Sequence, residues 1–452
     1  MKKYDLLVIG GDAAGMSAAS QARRMNNDIS IAVFDKGNHV SYAACGMPYY
    51  IAGDIKNSDD LIAIDRDNFV EKRNIMISSN SEATSVDFKS NTVTILEQGE
   101  NKIYGYEKLV IATGAHAFVP PIEGINSENV FMLRNLADGI SIKENISKNR
   151  PGSAVIIGGG FIGLEMAEAF TRLSIKTTIL ERMESVAMTM SDEIRELIRL
   201  KIEENGVEIK AGENIQSIEQ DDNSIVINTD TGRIRSDLVL VSVGVLPNTG
   251  FLRNSGISMT ERGAIIIDEH SRTSIPGVYA AGDCATVKHI ITGKDTYMPM
   301  GSTANKQGRV AGLHATGVNN ERFNGIAGSQ FVKIFDLEVG KTGFNSTDAE
   351  KNGISSETRT ATWKSRAGYC PMAQKIFISI TIDSQTRKII GGEIAGSDGA
   401  ALRTNVIAAA ITSGMSIDEF AYLDLGYAPP FSPVWDPLNG TAQKFLIRKT
   451  DQ

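Results

Sequence analysis

Short runs of apolar residues that end in glycine-rich turns form the clearest pattern in this chain. The first run covers residues 6–9 and leads into Gly10-Gly11-Asp12-Ala13-Ala14-Gly15, followed by a helix-like stretch. A second apolar run, residues 29–34, ends in Asp35. Buried parallel strands have this continuous apolar character. The order of strand, tight turn, helix, strand and acidic residue predicts a dinucleotide-binding unit, with the pyrophosphate at the helix N-terminus and Asp35 at a ribose.

The same order recurs about 150 residues later in a cleaner form. Residues 154–157 form an apolar run followed by Gly158-Gly159-Gly160-Phe161-Ile162-Gly163, which has the full spacing of the dinucleotide fingerprint. A helical pattern over residues 164–173 and a strand pattern over 177–180 lead to Glu181. A carboxylate there binds the 2′-hydroxyl of NADH and repels the 2′-phosphate of NADPH. The pattern therefore favours NADH, while the basic residue Arg182 after Glu181 leaves NADPH as an alternative.

Two nucleotide sites in one chain predict an electron relay between a nicotinamide and a tightly held flavin. The first turn matches imperfectly, because Asp12 replaces the central glycine. Residues 109–114 and 277–283 also form strand patterns, which end in Thr113-Gly114 and Gly282-Asp283. Each is by itself typical of an ordinary buried strand with a polar cap. Their order on both sides of the second unit favours a bound FAD.

Cys45 stands alone in Ser41-Tyr42-Ala43-Ala44-Cys45-Gly46-Met47-Pro48, ten residues after Asp35 and with no second cysteine beside it. A free cysteine is often only a small buried hydrophobic residue. Next to a predicted flavin unit, however, one thiol favours two-electron chemistry on disulfides, persulfides or oxygen species. We therefore predict that Cys45 is redox active.

The composition excludes several other functions. The chain has 452 residues, enough for about three domains, with a hydrophobic fraction of 42% and a formal net charge of −8. This charge disfavours a nucleic-acid-binding surface, and no apolar run approaches the ~18 residues of a membrane span. The three cysteines have no CxxC spacing, so we expect neither a disulfide framework nor a metal site. A reducing cytoplasm is the simplest location.

Three further motifs extend the pattern into the C-terminal half. They are Gly244-Val245-Leu246-Pro247-Asn248, the segment 298–309, and Gly426-Tyr427-Ala428-Pro429-Pro430-Phe431-Ser432. With the two glycine turns and Cys45, they make the chain resemble the single-cysteine branch of the FAD-dependent pyridine nucleotide–disulfide oxidoreductases. That branch includes CoA-disulfide reductases, NADH oxidases and peroxidases, and persulfide reductases.

The resemblance implies an α/β fold with two Rossmann-like dinucleotide-binding domains and a C-terminal α+β dimerisation domain. The FAD-binding domain would consist of residues 1–120 and 249–325. The NAD(P)H-binding domain, residues 121–248, would be inserted between these two pieces. Residues 326–452 would form the interface domain of a homodimer and complete the partner's active site.

The resemblance also implies the residues of each site. Cys45, Tyr369 and Tyr427 would be catalytic. The residues expected at FAD are Gly10, Gly11, Ala14, Gly15, Asp35, Lys36, Thr113, Gly114, Arg134, Gly282, Asp283 and Ala304. The residues expected at NAD(P)H are Gly158, Gly160, Phe161, Ile162, Gly163, Glu165, Glu181 and Gly244. A CoA substrate would contact Ser17, Gln21, Arg24, Ser41 and Arg73, although the first three also recur at helical spacing, as on an ordinary solvated surface.

The residues near Cys45 discriminate only partly among the members of this branch. The first glycine turn lacks the His of the oxidases and peroxidases, which argues against oxygen or peroxide as the main substrate. Ala44 and Trp435 replace an Asn and a Lys of the CoA-disulfide reductases, which would weaken CoA binding by ~1–3 kcal/mol. Cys370 replaces a Tyr, and is either a resolving thiol or a small residue in a Tyr-sized space.

We expect a CoA-disulfide reductase-like enzyme that acts on a small disulfide. The alternatives are an NADH oxidase or a sulfur, polysulfide or persulfide reductase, and, more distantly, a redox-sensing flavoprotein with little turnover. An electron-transfer reductase for a small iron–sulfur protein is a further alternative, and it would not need Cys45.

The resemblance implies a reaction in which electrons pass from NADH through FAD to Cys45, after Phe161 moves aside and with Glu165 orienting the carboxamide. The Cys45 thiolate would attack the disulfide, while Tyr427 or Tyr369 protonates the leaving thiol. This thiolate requires a depressed pKa, which we expect from the flavin and from the N-terminus of the following helix. Whether CoA caps Cys45 at rest stays open.

Overall fold

The computed structural model describes residues 1–221 and 224–446, so residues 447–452 of the predicted interface domain lie outside the described residues. None of the helices in these two ranges is long and apolar enough to cross a membrane.

The helices are α1 (Ala13–Met25), α2 (Met47–Ala52), α3 (Leu136–Asn149), α4 (Phe161–Arg172), α5 (Asp192–Glu204), α6 (Gly301–Ala315), α7 (Ser346–Lys351), α8 (Ala400–Ser413), α9 (Ile417–Phe420) and α10 (Pro437–Gln443). The strands are β1 (Lys2–Ile9), β2 (Ile31–Phe34), β3 (Met76–Ser78), β4 (Ser81–Asp87), β5 (Thr92–Glu97), β6 (Glu100–Ile111), β7 (Ala115–Ala117), β8 (Val130–Met132), β9 (Ser153–Ile157), β10 (Lys176–Glu181), β11 (Glu208–Ala211), β12 (Ile215–Asp221), β13 (Ser224–Thr229), β14 (Arg233–Ser236), β15 (Leu238–Val241), β16 (Val245–Pro247), β17 (Val278–Ala280), β18 (Val287–Lys288), β19 (Asp295–Thr296), β20 (Gln330–Ile334), β21 (Leu337–Gly343), β22 (Ser356–Lys364), β23 (Lys375–Asp383) and β24 (Ile389–Gly396).

The first sheet has the strand order β3-β2-β1-β6-β5-β4, with β17 beside β6. The apolar residues of β1 are buried, and β1 pairs in parallel with β2 and β6. The first half of β6 is antiparallel to β5, whereas its second half is parallel to β1 and β17. The carboxyl ends of β1, β6 and β17 therefore meet at one edge of the sheet, where doubly wound sheets bind ligands.

The second sheet has the order β11-β10-β9-β15-β8 and is built from parallel pairs. α4 follows β9, the central strand, and packs against β9 and β10. β7 and β16 form a short antiparallel pair where the chain passes between the two sheets. Each glycine turn thus follows the central strand of its own parallel region.

The C-terminal sheet is antiparallel, with the order β20-β21-β24-β23-β22, and α8 packs against β21 and β24. Ile376, Ile378, Ile380 and Ile382 alternate along β23 and are fully buried, as the two-residue period of a strand requires. Together with the two parallel regions, this sheet confirms the predicted α/β fold with a C-terminal α+β part.

One predicted element has different bounds. The helix predicted over residues 164–173 begins at Phe161, because Gly160 is the extended residue that precedes the first turn. In the C-terminal sheet, β20 and β21 form a hairpin. Phe335 makes the turn by adopting a left-handed conformation with φ 55°.

One hydrophobic cluster connects α2, the helix that follows Cys45, to the second sheet and to the C-terminal sheet. It includes Met47 and Ile51 of α2, Leu164 of α4, and Val332 and Val339 of the β20–β21 hairpin. Full burial of such side chains stabilises the fold by about 1.5–3 kcal/mol each. The position of α2 therefore depends on all three parts of the chain.

Candidate active site

The two glycine turns have the same backbone geometry. Gly10 and Gly158 have positive φ angles of 103° and 108°, which glycine adopts without steric penalty. A Cβ atom on Gly15 would lie 1.8 Å from the carbonyl oxygen of Gly10, and one on Gly163 would lie 2.1 Å from that of Gly158. Only glycine allows the helix to approach its strand so closely, so both turns fit the pyrophosphate of a dinucleotide.

A carboxylate closes each turn. Asp35 Oδ2 accepts a hydrogen bond from the Gly11 N–H at 2.6 Å, and Glu181 Oε2 accepts one from the Gly159 N–H at 2.7 Å. Burial raises the pKa of Asp35. Since carboxylate oxygens carry two lone pairs each, both side chains can still accept hydrogen bonds from a ribose.

The helices that begin at these turns have no side-chain cap. Asp12 precedes α1 without capping it, and Gly160 precedes α4 with no side chain to offer. A helix N-terminus leaves N–H groups without partners inside the helix and carries partial positive charge. A Cβ atom on Gly160 would meet nothing within 4 Å. These open N-termini fit the anionic part of FAD and of NAD(P)H.

A second group of predicted FAD residues converges where β6, β17 and α6 meet. A Cβ atom on Gly282 would lie 2.9 Å from the Ala14 Cβ and 3.3 Å from the Ala304 Cβ, so these three residues are in close contact. Arg134 Nη2 donates a hydrogen bond to Asp283 Oδ2 at 2.6 Å. The structure therefore gathers small residues and one ion pair at the edge of the sheet where the first turn lies.

The segment after β6 is joined to the segment after β16. Thr113 Oγ1 donates to the Asn248 carbonyl at 2.7 Å, and the Asn248 N–H donates to the Gly114 carbonyl at 2.9 Å. Gly244, with φ 118° and open space on its Cβ side, lies at the start of this connection. The predicted FAD residue Lys36 does not take part in these contacts. Its Nζ instead forms a surface ion pair with Glu82 at 3.2 Å.

Cys45 lies in the short 3-10 turn Ala44–Gly46, directly before α2. The residue is solvent-exposed and free of any disulfide. Because α2 packs against α4, the thiol is held beside the helix of the second glycine turn. Its charged neighbours are Glu165, Arg134, Asp283 and Asp12. The thiol thus lies between the two nucleotide-binding units.

On balance, the side chains around Cys45 oppose ionisation of its thiol. Desolvation by the surrounding protein raises the pKa of the thiol, and the negative charge of Glu165 raises it further, while Arg134 opposes these effects. The depressed pKa that we expected from the flavin and from the N-terminus of the following helix stays a prediction, and the side chains around the thiol do not add to it.

Glu165 lies on α4 one turn after Phe161, which is partly buried, and near Ile162, which is 37% exposed. Burial and the charge of Glu168 raise the pKa of Glu165 to about 7. The motifs did not single out Tyr49, whose pKa is raised by burial and then by the charge of Glu165. Its spacing of four residues from Cys45, one helical turn, was the available signal. The narrow cleft between α2 and α4 is lined by residues including Tyr49, Glu165, Glu168 and Lys333.

Asp12 stands where the dinucleotide fingerprint has a glycine, and its carboxylate contacts the segment that carries Cys45. Its Oδ1 accepts a hydrogen bond from the Tyr42 N–H at 3.3 Å. Burial raises the pKa of Asp12 to about 6. The side chain therefore joins the first glycine turn to the segment before the thiol, which explains how an acidic residue is accommodated there.

The two predicted catalytic tyrosines lie elsewhere on the protomer. Tyr369 and Tyr427 are 73% and 48% exposed, and a hydrogen bond between them raises the pKa of Tyr369. Cys370 Sγ lies 3.3 Å from the Pro429 carbonyl oxygen. No hydrogen bond in residues 1–221 and 224–446 joins these side chains to Cys45. That a partner subunit places its tyrosines at Cys45 stays a prediction.

Three guanidinium groups gather beside α1. Burial lowers the pKa of Arg24, and the positive charges of Arg309 and Arg73 lower it further. Arg73 Nη1 also donates a hydrogen bond to Ser20 Oγ at 2.8 Å. Like charges that lie close together favour binding of an anion between them, and guanidinium groups suit phosphate in particular. Arg309 was not among the predicted coenzyme contacts, although it is the last residue of the motif 298–309.

The other predicted coenzyme contacts are engaged within the protein. Ser17 Oγ donates to Asn305 Oδ1 at 2.7 Å, and Gln21 accepts hydrogen bonds from Arg24. Ser41 adopts a left-handed conformation with φ 54°, and its N–H donates to the Gly11 carbonyl at 2.9 Å. Gln21 thus lies beside the guanidinium group of Arg24, and Ser17 lies one turn before Gln21 on α1.

Comparison with known families gives two matches. The sequence matches the family described as pyridine nucleotide-disulphide oxidoreductase over residues 4–308. It matches the dimerisation domain of the same family over residues 329–437. The family resemblance predicted from the motifs is therefore confirmed.

Curated relatives and solved structures cover almost the entire chain. The NAD(P)H sulfur oxidoreductase (CoA-dependent) of Pyrococcus abyssi is 36% identical over 437 residues, which are 96% of this chain and 97% of the relative. The coenzyme A disulfide reductase of Staphylococcus haemolyticus is 27% identical over 441 residues, 96% of this chain and 97% of the relative. The structure of a NAD-dependent persulfide reductase from A. fulgidus is 37% identical with a TM-score of 0.94, and the match covers 98% of this chain and 83% of that one.

Proposed function

The chain belongs to the pyridine nucleotide-disulphide oxidoreductase family, and we propose that it is an FAD-dependent NAD(P)H oxidoreductase that reduces a small sulfur–sulfur bond at Cys45. The position of Cys45 carries this proposal. The residue is solvent-exposed, and its charged neighbours come from the first turn (Asp12), from the Arg134–Asp283 pair and from α4 (Glu165). A substrate can therefore reach a thiol that lies between the two nucleotide-binding units.

The chain's own residues account for the sulfur chemistry. The Cys45 thiolate attacks one sulfur of a disulfide RSSR, forming the mixed disulfide Cys45–S–S–R and expelling RS⁻. Tyr427 or Tyr369 of the partner subunit would give RS⁻ its proton. Two electrons from NAD(P)H and one proton then convert the mixed disulfide into the Cys45 thiolate and a second RSH. Glu165 would hold the nicotinamide carboxamide.

We assign the two nucleotides to the two glycine turns. The turn 10–15, Asp35 and the residues gathered around Arg134–Asp283 would hold FAD, and the turn 158–163 with Glu181 would hold NAD(P)H. Bound FAD would supply a two-electron carrier between the nicotinamide and the thiol. We further propose the domain division 1–120 with 249–325 for FAD, 121–248 for NAD(P)H and 326–452 for the interface.

A coenzyme A disulfide is our leading substrate. The cluster of Arg24, Arg73 and Arg309 offers positive charge for the phosphates of that coenzyme. The names of two relatives, a CoA-dependent sulfur oxidoreductase and a coenzyme A disulfide reductase, support the same carrier. Ala44 and Trp435 do not supply the amide and the cation expected for CoA, so we expect binding weaker than in a typical CoA-disulfide reductase.

The second candidate is reduction of a CoA persulfide or polysulfide. Similarity favours it, because the 36% and 37% identical proteins are named for sulfur and persulfide reduction, whereas the disulfide reductase is 27% identical. The chemistry at Cys45 is the same, since a persulfide also presents a sulfur–sulfur bond to the thiolate. The two candidates therefore differ in the leaving group rather than in the residues that act.

The test is anaerobic NADH consumption by the FAD-containing protein with CoA disulfide. Cys45→Ser should lower turnover more than about 10³-fold, because the serine hydroxyl is not ionised at neutral pH. FAD should remain bound, as its absorbance would report. Cys370→Ser is the matched control and should stay within about twofold of the wild type if Cys370 only fills space.

Each other outcome has a definite meaning. A Cys45→Ser variant that keeps the wild-type rate would contradict the mechanism. Turnover with CoA persulfide or polysulfide but not with CoA disulfide would favour the second candidate. Consumption only in the presence of oxygen would favour an NADH oxidase, and flavin reduction without turnover would favour a redox-sensing role.

A further inference from the structure

A buried ionic network lies in the C-terminal sheet, far in sequence from the proposed nucleotide site. Lys341 of β21 and Glu393 of β24 are directly opposite each other in the strand register, and they are only 5% and 1% exposed. Lys341 Nζ lies 2.6 Å from Asp348 Oδ2 and 3.6 Å from Glu393 Oε1. Asn345 Nδ2 donates to Glu393 Oε1 at 3.2 Å.

The network reaches out of its own sheet to the backbone that precedes α5. Both carboxylate oxygens of Glu393 lie 3.2 Å from the Ser191 N–H. Lys341 Nζ donates a hydrogen bond to the Thr189 carbonyl, and Asn345 Nδ2 lies 3.5 Å from the same oxygen. Three side chains of the C-terminal sheet region therefore fix a segment, residues 186–191, that belongs to the second nucleotide unit.

The same segment 186–191 also forms the wall behind the second glycine turn. The Ala187 N–H donates to the Gly159 carbonyl at 2.9 Å, and Val186 Cγ1 would lie 2.5 Å from a Cβ on Gly159. The N–H of the same Gly159 donates a hydrogen bond to Glu181. Ala187 adopts a left-handed conformation with φ 53°, which is unfavourable for alanine and persists only when surrounding contacts impose it.

Charge determines how firmly this segment is held. A buried ion is costly unless it is paired and hydrogen-bonded, and removing one member of a buried pair leaves the other uncompensated. Lys341 and Glu393 satisfy each other only in part, at 3.6 Å. The carbonyl of Thr189 and the N–H of Ser191 complete their hydrogen bonding, so the segment has a preferred position against the sheet.

We propose that Lys341 and Glu393 are positioning residues for NAD(P)H: by holding segment 186–191 against Gly159, they keep the second glycine turn in the shape that receives the nucleotide. This inference rests on the proposed function, because it requires that the turn binds NAD(P)H. It extends that function by making the C-terminal sheet a determinant of nucleotide affinity within the same chain.

The experiment measures binding of ADP-ribose, a nucleotide that cannot reduce the flavin, to the FAD-containing protein by calorimetry. Lys341→Met should raise the Kd for ADP-ribose and the KM for NADH by about three- to tenfold. The kcat for reduction of ferricyanide by NADH should stay within about twofold. The rate of Cys45 alkylation should not change, because the thiol lies outside the network.

A second variant and a control keep the inference open to refutation. Lys341→Met with Glu393→Gln removes the two most deeply buried charges and leaves only the partly exposed carboxylate of Asp348, so it should fold even if the single variant does not, and it should also weaken ADP-ribose binding. Arg387→Met breaks the exposed Arg387–Asp418 pair of the same region and should leave the Kd unchanged.

The possible failures are distinguishable. An unchanged Kd in the double variant would overturn the positioning role, as would equal effects on nucleotide binding and on Cys45 alkylation, since these would indicate general loosening. A wild-type protein that does not bind ADP-ribose at all would instead overturn the proposed function, and this inference with it.

Discussion

At the scale of single residues, Glu165 couples the helix of the nucleotide turn to the reactivity of Cys45. Burial and the charge of Glu168 raise the pKa of Glu165 to about 7. Ionised Glu165 in turn raises the pKa of the Cys45 thiol. As the pH rises through about 7, Glu165 becomes negative and the thiol therefore becomes harder to ionise. The reactivity of Cys45 should thus depend on two titrations rather than one.

Glu165→Gln should remove this coupling. The amide cannot ionise, so the variant's Cys45 should be alkylated faster at neutral pH than the wild-type thiol, and its pH profile should move to lower pH. The measurement is the rate of iodoacetamide reaction from pH 5 to 10, followed by mass spectrometry of the Cys45 peptide. The wild type should show an additional inflection near pH 7 that the variant lacks.

Glu144→Gln supplies the control for this comparison, because Glu144 is an exposed carboxylate on α3. Its alkylation profile should coincide with that of the wild type. If Glu165→Gln also coincides with the wild type, then Glu165 does not act on the thiol in solution, and the role we assign to its charge is wrong.

Residue types at the glycine turns could be predicted because their constraints are local. Gly10, Gly15 and Asp35 act within one short strand–turn–helix–strand unit, so their spacing indicates the turn even though Asp12 replaces its central glycine. The direction of the Cys45 pKa could not be predicted in this way. It depends on Glu165, which is distant in sequence and approaches Cys45 only because α2 packs against α4.

At the scale of elements, the segment after α2 is anchored by α3. Lys143 Nζ donates hydrogen bonds to the carbonyls of Tyr50 at 2.7 Å, of Lys56 at 3.2 Å and of Ile55 at 3.4 Å. The ammonium also lies 3.7 Å from the centroid of the Tyr50 ring. A cation at this end of α2 satisfies carbonyls that a helix leaves unpaired. We therefore expect Lys143 to set the position of the short helix that begins after Cys45.

Lys143→Met should destabilise this region. The variant leaves three carbonyls without their charged donor, which should lower the free energy of unfolding by about 1–3 kcal/mol. The amides of residues 50–56 should also exchange faster with deuterium than in the wild type. Lys148→Met, at an exposed position of the same helix, should change neither quantity measurably. Unchanged exchange in Lys143→Met would show that hydrophobic packing of α2 is sufficient.

Element types could be predicted more reliably than element ends. The apolar runs of β1 and β9 identify buried strands, because strands covered on both faces need continuous hydrophobicity. The start of α4 at Phe161 was missed, since Gly160 was counted within the turn although it serves as the extended residue before the helix. The turn at Phe335 was missed because an aromatic residue gives no signal for a positive φ.

At the scale of the whole molecule, the contacts that join the domains could not be predicted from sequence. Lys341 and Glu393 look like ordinary surface charges in strands, and nothing near Thr189 or Ser191 in the sequence identifies their partners. Such pairs are separated by about 150–200 residues, and only the docking of the second nucleotide unit against the C-terminal sheet brings them together. The family motifs predicted that these parts exist, but not the hydrogen bonds between them.

The surface around Tyr369 and Tyr427 favours a second copy of the chain. Phe431 is 75% exposed, and Val434 and Met372 are 71% and 66% exposed. Exposed apolar side chains gathered on one surface are typical of an interaction site. They lie within or beside the part of the chain that matches the dimerisation domain, residues 329–437. We therefore expect burial of this surface in a homodimer that places the tyrosines of one protomer near Cys45 of its partner.

Phe431→Asp tests this arrangement and should change the stability of the single protomer little, because the side chain is already exposed there. A carboxylate in an apolar interface would be desolvated without a partner, so the variant should elute with the mass of one chain rather than two in light-scattering chromatography. Disulfide turnover should fall more than about tenfold, whereas reduction of ferricyanide by NADH should persist, since both nucleotide turns lie within one protomer. Ile103→Asp, at an exposed position of β6, should remain dimeric and active. Full disulfide turnover by monomeric Phe431→Asp would mean that each protomer is complete, and that Tyr369 and Tyr427 do not serve the partner's thiol.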